Sequence, residues 1–179
     1  MLKNTEERYG LLPKLLHWFI AVLIIGLIWL GWYMVDLTYY DRWYNDSLTA
    51  HKALGLLVLA LALVKIVWTL VNRPPPLVAT LRTFERVAAH AAHGLLYLAM
   101  LLIPVTGYLI STSAGAAVSI FNWFDVPALV VLDDASRDVA IEVHYYASYA
   151  VAVLVVIHAL AALKHQFIDK DGTLRRMLW

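Results

Sequence analysis

Histidines spaced along an apolar stretch are the residues of this sequence with the clearest chemical potential. Residues 144–165, HYYASYAVAVLVVIHALAALKH, contain His144, His158 and His165 among side chains that are almost all apolar. Imidazole binds transition metals through either ring nitrogen, and it exchanges protons near neutral pH. Ionisable residues in a membrane-length segment usually mark a functional site, because they are costly to bury in lipid. The sequence contains four more histidines: His17, His51, His90 and His93.

The composition places these histidines in a membrane protein. Of the 179 residues, 62% are hydrophobic and 15% are charged, and the mean hydropathy is +0.70. A helix needs about 20 consecutive apolar residues to cross the hydrocarbon core. Four stretches are that long, at about 15–35, 54–71, 88–111 and 139–162. We therefore predict an all-α integral membrane protein, a four-transmembrane-helix bundle in which residues 1–179 form one domain.

Positive charge is distributed unevenly between the two ends of these helices. Ten lysines and arginines flank the spans on the side of the termini, and three lie on the other side: Arg42, Lys52 and Arg137. The positive-inside rule therefore predicts that both termini are cytoplasmic. The outer side also has eight acidic residues, so its net charge is −5. In the outer loop 112–138, residues 120–124 are predicted to form a short amphipathic interfacial segment or an aromatic-rich loop.

The absence of cysteine restricts the cofactors that the chain can hold. It excludes covalent haem attachment through C-x-x-C-H, iron–sulfur clusters with cysteine ligands, and disulfides. The sequence also has no glycine-rich phosphate loop and no dinucleotide fingerprint. Any redox cofactor is therefore bound non-covalently, and we expect no nucleic-acid partner.

The helical register places histidines at two depths in the membrane. Fourteen residues rise about 21 Å and return to within about 40° of the same helix face, so His144 and His158 lie near opposite membrane faces. His51 matches His144 in depth on the outer side, and His17 matches His158 on the inner side. Imidazoles that face each other across a bundle are typical axial ligands of haem b. The pattern therefore predicts two haem b groups, one near each face.

Sequence spacing alone leaves alternatives open at the inner level. His90 and His93 compete with His17 for the inner haem, because all three begin a helix on the cytoplasmic side. A site for zinc or copper between histidine pairs is a further alternative. It is disfavoured because no carboxylate or thiolate accompanies the pairs.

Two more ionisable residues are candidates for contacts with a cofactor or substrate near the inner face. Lys65 lies fourteen residues after His51, where it would pair with a haem propionate or extend to the inner headgroups. His165 lies about 10.5 Å beyond His158 along the helix, at the level of the inner headgroups. There it would contact a quinone head group or be solvated.

Four segments together resemble the bacterial di-haem cytochrome b-561 family. They are LLPKLLHWFIAVLIIGLIWLGWYM, LTAHKALGLLVLALALVKIVW, AAHAAHGLLYLAMLLIPVTGYLI and EVHYYASYAVAVLVVIHALAALKHQFIDKDGTLRRM, and they span nearly the whole chain. The resemblance implies a multi-pass protein of the bacterial inner membrane with two b haems. The H-W and I-H-A motifs imply His17 and His158 as ligands of the inner haem. The T-A-H and V-H-Y motifs imply His51 and His144 as ligands of the outer haem.

The same resemblance carries expectations about the remaining residues and the reaction. The A-L-K-H segment implies that His165 contacts ubiquinone, and the A-H-A-A-H segment implies that His90 and His93 support the propionates or the quinone. Members of the family include a superoxide oxidase, which passes an electron from periplasmic superoxide through both haems to ubiquinone. We therefore expect superoxide:ubiquinone oxidoreductase activity, with His165 as proton donor to the reduced quinone.

The charge of the outer side conflicts with the superoxide hypothesis. Superoxide is an anion, and a net charge of −5 repels it unless Arg42, Lys52 or Arg137 makes a local positive patch. The alternative is a quinone-coupled electron conduit that exchanges electrons with a periplasmic or membrane protein. A cationic periplasmic partner would suit the acidic face.

Overall fold

The computed structural model describes residues 1–178. In that range it contains four long helices, α1 (Leu11–Val35), α2 (Tyr44–Val71), α3 (Thr83–Thr112) and α4 (Asp134–Lys164). A hairpin of strands β1 (Val118–Ile120) and β2 (Phe124–Val126) precedes α4, a π-helical turn (His165–Asp169) extends it, and a short helix α5 (Arg175–Leu178) follows. Each long helix is apolar enough to cross a membrane. The predicted four-helix membrane architecture is therefore confirmed.

The helices pack in sequence order around a small core. Helix α1 packs on α2, α2 on α3 and α3 on α4, whereas α4 contacts α1 much less closely. Ile20, Ala62 and Met100 form the buried cluster between α1, α2 and α3. Large apolar side chains are exposed around the bundle, among them Trp29, Val67, Leu98 and Val156. This outward apolar surface is what a lipid-embedded bundle requires, since the bilayer replaces water as its solvent.

Each helix begins before its apolar run, and at the starts of α3 and α4 a polar side chain accepts a hydrogen bond from a backbone N–H group. At the start of α4 the Asp133 carboxylate accepts a hydrogen bond of 2.7 Å from the Ser136 N–H. At the start of α3 the Glu85 carboxylate accepts one of 3.0 Å from the Arg82 N–H. The predicted bounds therefore mark the apolar part of each span, and the helix continues beyond it.

The outer loop contains a β-hairpin where the sequence suggested an amphipathic segment. Ile120 pairs with Phe124 in an antiparallel ladder, and the Trp123 N–H donates to the Ile120 carbonyl at 2.9 Å. Phe121 and Asn122 have φ angles of 48° and 60°, which closes a turn of the type found in tight hairpins. Of the two interpretations of residues 120–124, the aromatic-rich loop agrees with this hairpin turn, and a position of the segment at the membrane interface stays a prediction.

The chain termini meet on the side where α1 begins and α4 ends. The Arg176 guanidinium donates to the carbonyls of Glu7 and Pro76, each at 2.7 Å. The Trp18 indole N–H donates to the Met177 carbonyl at 3.0 Å. These bonds join the N-terminal segment, the α2–α3 loop and the C-terminal segment into one layer. That this layer is cytoplasmic stays a prediction from the positive charges.

Candidate functional site

The outer histidine pair joins α2 to α4. His51 and His144 face each other with their ring centroids 6.2 Å apart and their planes at 70°. Both side chains are partly buried within the bundle. The helical register predicted that His51 and His144 lie at the same depth, and the structure brings their two rings close together.

The ring of His144 is oriented by α3. Its Nδ1 lies 2.9 Å from the Ile103 carbonyl oxygen and 3.2 Å from the Thr106 hydroxyl. A carbonyl oxygen only accepts hydrogen bonds, so Nδ1 carries the hydrogen and the lone pair lies on Nε2. Metal-binding histidines commonly donate their second ring nitrogen to a carbonyl in this way, which fixes both the tautomer and the ring plane. The lone pair on Nε2 of His144 is therefore available to bind a metal.

Two glycines give the outer rings the space that they occupy. A Cβ at Gly107 would lie 3.0 Å from Cε1 and 3.3 Å from Nδ1 of His144. A Cβ at Gly31 would lie 3.4 Å from Cε1 of His51, which is an ordinary contact. Gly107 is therefore needed for the position of His144, whereas Gly31 is much less restrictive.

The inner level brings three of the predicted histidines together and leaves one outside. The rings of His17 and His158 lie 6.2 Å apart, and those of His93 and His158 lie 5.6 Å apart. His17 and His158 are partly buried, whereas His93 and His90 are exposed. No ring contact joins His90 to this cluster among the described residues. Burial therefore favours His17 over His90 and His93 as the partner of His158.

The separation of the rings tests whether a metal fits between them. A metal lies about 2 Å from an imidazole nitrogen, and the ring centroid lies about 1 Å further on, so two axial imidazoles hold their centroids about 6 Å apart. The pairs His51–His144 and His17–His158 both have separations of 6.2 Å. The 5.6 Å separation of His93 and His158 is shorter than this span. The two depth-matched pairs therefore fit bis-imidazole ligation of an iron.

Lys65 lies inside the bundle at the inner level. Its Nζ is 5.9 Å from the centre of the Tyr97 ring, within the range of a cation–π interaction. The Tyr97 hydroxyl is in turn 3.3 Å from the hydroxyl of Thr69, one turn beyond Lys65 on α2. This arrangement holds the ammonium group among α2 and α3 side chains, where it can pair with an anionic group of a ligand.

A charged network surrounds His165 at the inner end of α4. Its Nδ1 lies 2.7 Å from an Asp171 carboxylate oxygen and 3.0 Å from an Asp169 carboxylate oxygen. The Lys164 ammonium contacts Glu85 and Asp169, each at 2.6 Å. Burial opposes ionisation of Asp171, but hydrogen bonds from Thr173 and His165 hold the pKa of its carboxyl below the usual value. Asp171 is therefore ionised beside His165 at neutral pH.

The carboxylates of this network do not form a vacant cation site. Glu85, His165 and Asp169 bring their ligand atoms within 4.8 Å of one another. The Lys164 ammonium contacts both of these carboxylates and supplies the positive charge that they require. The network therefore serves to hold the π-helical turn against the start of α3.

The fold and the histidine pairs together define a multi-pass membrane protein that can hold metal centres between its helices. The family model described as prokaryotic cytochrome b561 matches residues 8–179. Cytochrome b561 homolog 2 of Escherichia coli (strain K12) is 42% identical over 175 residues, which cover 98% of this chain and 93% of that protein. The chain belongs to the prokaryotic cytochrome b561 family.

Membership confirms the family resemblance and the location that it implied. The protein is a multi-pass protein of the bacterial inner membrane, binds haem b and transfers electrons across the membrane. The assignment of individual histidines, the number of haems, ubiquinone and superoxide stay predictions.

Several of the contacts around the site were not predicted from the sequence. The Ile103 carbonyl that orients His144 belongs to α3, and only the packing of α3 on α4 brings it there. Asp171 lies six residues after His165, a separation that does not share a face in a continuous α-helix. It reaches the ring because a π-helical turn and a left-handed Lys170 intervene. Neither feature has a reliable signal in a single sequence.

Proposed function

We propose that the protein is a di-haem superoxide:ubiquinone oxidoreductase. Two superoxide ions each give one electron at the outer side and become O₂, and one ubiquinone takes both electrons and two protons at the inner side and becomes ubiquinol. A bound haem b carries one electron at a time. The observation that carries the proposal is the pair of histidine sites at two depths, each with a ring separation of 6.2 Å.

In this proposal His51 and His144 hold the outer haem, and His17 and His158 hold the inner one. Lys65 supplies a positive charge for an inner propionate, and His93 provides a second polar contact at the same level. These assignments rest on the burial of the four ligands and on the position of Lys65 over Tyr97. A zinc or copper site between the histidine pairs is disfavoured, because the family binds haem b.

His165 is proposed as the group that meets ubiquinone. It lies at the end of α4, where the helix leaves the apolar part of the span, and its side chain is 12% exposed. Its Nδ1 faces carboxylates, so Nε2 is the nitrogen that can donate to a quinone oxygen.

A quinone-coupled conduit for a cationic protein donor is the second candidate, because the outer side has a net charge of −5. For superoxide to be the donor despite this charge, a local group of positive residues must attract it. Lys52 directly follows the proposed ligand His51, and the Arg42 guanidinium lies 4.9 Å from the centre of the Trp43 ring. Stopped-flow mixing of the purified protein with superoxide, with and without a soluble quinone, tests the two candidates.

The effect of salt on that reaction separates local attraction from net repulsion. If Lys52 or Arg42 attracts superoxide, haem reduction slows as ionic strength rises, since exposed charges are screened over about 8 Å in physiological salt. We expect this result, and we expect Lys52→Gln to slow the reaction further, by about threefold at low salt.

The acidic residues at the start of α4 provide the matched variants. If repulsion prevails, Asp133→Asn and Asp134→Asn accelerate haem reduction, and asparagine keeps the helix cap because it also accepts the Ser136 N–H. A rate far below the diffusional limit at every ionic strength would rule out superoxide as the donor. The alternative, an electron conduit from a cationic periplasmic protein to quinone, would then be favoured.

Gly107→Ala is expected to weaken the outer haem site while Gly31→Ala does not. The new methyl group would approach His144 to 3.0 Å, so the ring must shift by a few tenths of an ångström, which disturbs its bond to Ile103. The methyl group at Gly31 would remain at 3.4 Å from His51. Redox titration of the haem spectrum measures the result: Gly107→Ala changes the outer haem's midpoint potential or occupancy and Gly31→Ala leaves both within error. Equal behaviour of the two variants would contradict the packing argument.

A further inference from the structure

Asp171 makes the shortest hydrogen bond to His165. One of its carboxylate oxygens lies 2.7 Å from His165 Nδ1, and its side chain is only 5% exposed. The other oxygen accepts from both the backbone N–H and the hydroxyl of Thr173, at 2.9 and 2.7 Å. Both oxygens are therefore engaged, and the carboxylate is held in a fixed orientation toward the ring.

The backbone between the two residues is shaped to bring them together. Helix α4 passes into a π-helical turn at His165–Asp169, Lys170 adopts a left-handed conformation, and the Asp171 N–H returns to the His165 carbonyl at 3.3 Å. A left-handed residue other than glycine is uncommon, and single π-helical turns are frequent at functional sites. The irregular turn therefore ends in a close carboxylate–imidazole contact.

Asp169 is a poorer partner for the same ring. Its carboxylate is 3.0 Å from His165 Nδ1, but it also contacts Lys164 at 2.6 Å, and its side chain is 30% exposed. The positive charge of Lys164 is shared with Glu85 of α3. The charged groups that face His165 are thus Glu85, Lys164, Asp169 and Asp171. Of these, Asp171 is both nearest to the ring and free of a cationic side chain other than His165.

We propose that Asp171 is a positioning residue that holds Nδ1 of His165 and directs its Nε2 toward the quinone. This inference rests on the proposed role of His165 in ubiquinone reduction. The Nε2–H bond breaks as an O–H bond forms on the quinone oxygen, and His165 regains the proton from water on the inner side. Ubiquinol needs two electrons with its two protons, and a haem held by His17 and His158 would supply them singly, so each proton delivered would be matched by one electron. Asp171 remains ionised throughout and keeps Nδ1 of the ring in place through the 2.7 Å contact.

The experiment compares haem-loaded Asp171→Asn with His165→Ala and with the control Glu6→Gln. Glu6 is an exposed acidic residue of the same chain-terminal layer whose carboxylate makes no hydrogen bond among the described residues. Haem is reduced with dithionite and reoxidised by a soluble ubiquinone in a stopped-flow instrument. We expect Asp171→Asn to lower kcat about tenfold with the quinone KM within about twofold, because positioning acts on proton transfer more than on binding. The haem spectra and midpoint potentials stay unchanged.

A spectroscopic readout follows the ring itself. In the reduced, diamagnetic protein labelled with ¹⁵N-histidine, the resonances missing from His165→Ala identify His165. The proposal predicts a hydrogen on Nδ1 in the unmodified protein and a changed Nδ1 signal in Asp171→Asn. The double variant His165→Ala with Asp171→Asn should react no more slowly than His165→Ala alone, since the aspartate acts through the ring.

The outcomes separate this inference from the proposed function. If His165→Ala leaves quinone reduction unchanged, the quinone site is wrong and the inference falls with it. If His165→Ala slows the reaction but Asp171→Asn matches Glu6→Gln, only the positioning role is overturned. Should Asp171→Asn fail to accumulate, Thr173→Val, which keeps the carboxylate and removes one of its anchors, is judged by the same criteria. A rate equal to that of Glu6→Gln and an unchanged Nδ1 signal would then reject the proposal.

Discussion

Replacement of His158 by alanine is expected to remove the inner haem, so that pyridine-haemochrome analysis falls from about two haems per chain to about one. His158 faces His17 across the α4–α1 side of the bundle, where direct helix packing is weakest. A haem left with one axial ligand and little surrounding protein is held loosely. Replacement of His51 by alanine is expected to remove the outer haem for the same reason.

His90 of α3, which lies outside the histidine cluster, provides the control for this experiment. His90→Ala removes an imidazole at the inner side that makes no ring contact with the cluster, and it should keep both haems. His93→Ala is the sharper comparison, because His93 lies 5.6 Å from His158. Loss of the inner haem from His93→Ala but not from His17→Ala would reassign the inner ligand. Retention of two low-spin haems by both His158→Ala and His51→Ala would reject the pairing altogether.

Replacement of His165 by alanine is expected to slow haem reoxidation by ubiquinone by about 100-fold or more, since a general acid typically contributes about 10²- to 10⁴-fold. Both haem spectra should remain intact, because His165 lies seven residues beyond His158 and its ring contacts acidic side chains. The measurement is the reoxidation rate of dithionite-reduced protein on mixing with a soluble quinone.

The Glu6→Gln variant controls for a substitution in the same chain-terminal layer, and it should reoxidise at the normal rate. Loss of a haem from His165→Ala would make His165 a ligand and would reopen the roles of His17 and His93. A normal rate with both haems present would show that quinone accepts electrons elsewhere.

Features that depend on length and spacing could be predicted from the amino-acid sequence alone. The length of each apolar run predicted a membrane helix, because the bilayer has one thickness and a helix has one rise per residue. The same rise converted the spacing of His144 and His158 into two depths, and it matched His51 and His17 to them. The structure brings both pairs to 6.2 Å.

Features that depend on local capping or turn geometry were predicted less well. Helices α3 and α4 extend beyond their apolar runs, where the Glu85 and Asp133 carboxylates accept hydrogen bonds from backbone N–H groups. Residues 120–124 form the turn of a hairpin because Phe121 and Asn122 adopt positive φ angles. Neither residue is glycine, so the sequence contained no clear signal for that turn.

The orientation of the functional side chains depends on contacts between helices and could not be predicted from the sequence. The choice between His17, His90 and His93 depends on the rotation of α1 and α3 about their axes, which the apolar pattern of a lipid-exposed helix does not determine. The bond from His144 to Ile103 depends on how α3 packs on α4. The contact of Asp171 with His165 depends on a π-helical turn and a left-handed lysine. Helical spacing sets the depth of a residue in the membrane, whereas its partners are set by packing between helices, which involves residues far apart in the sequence.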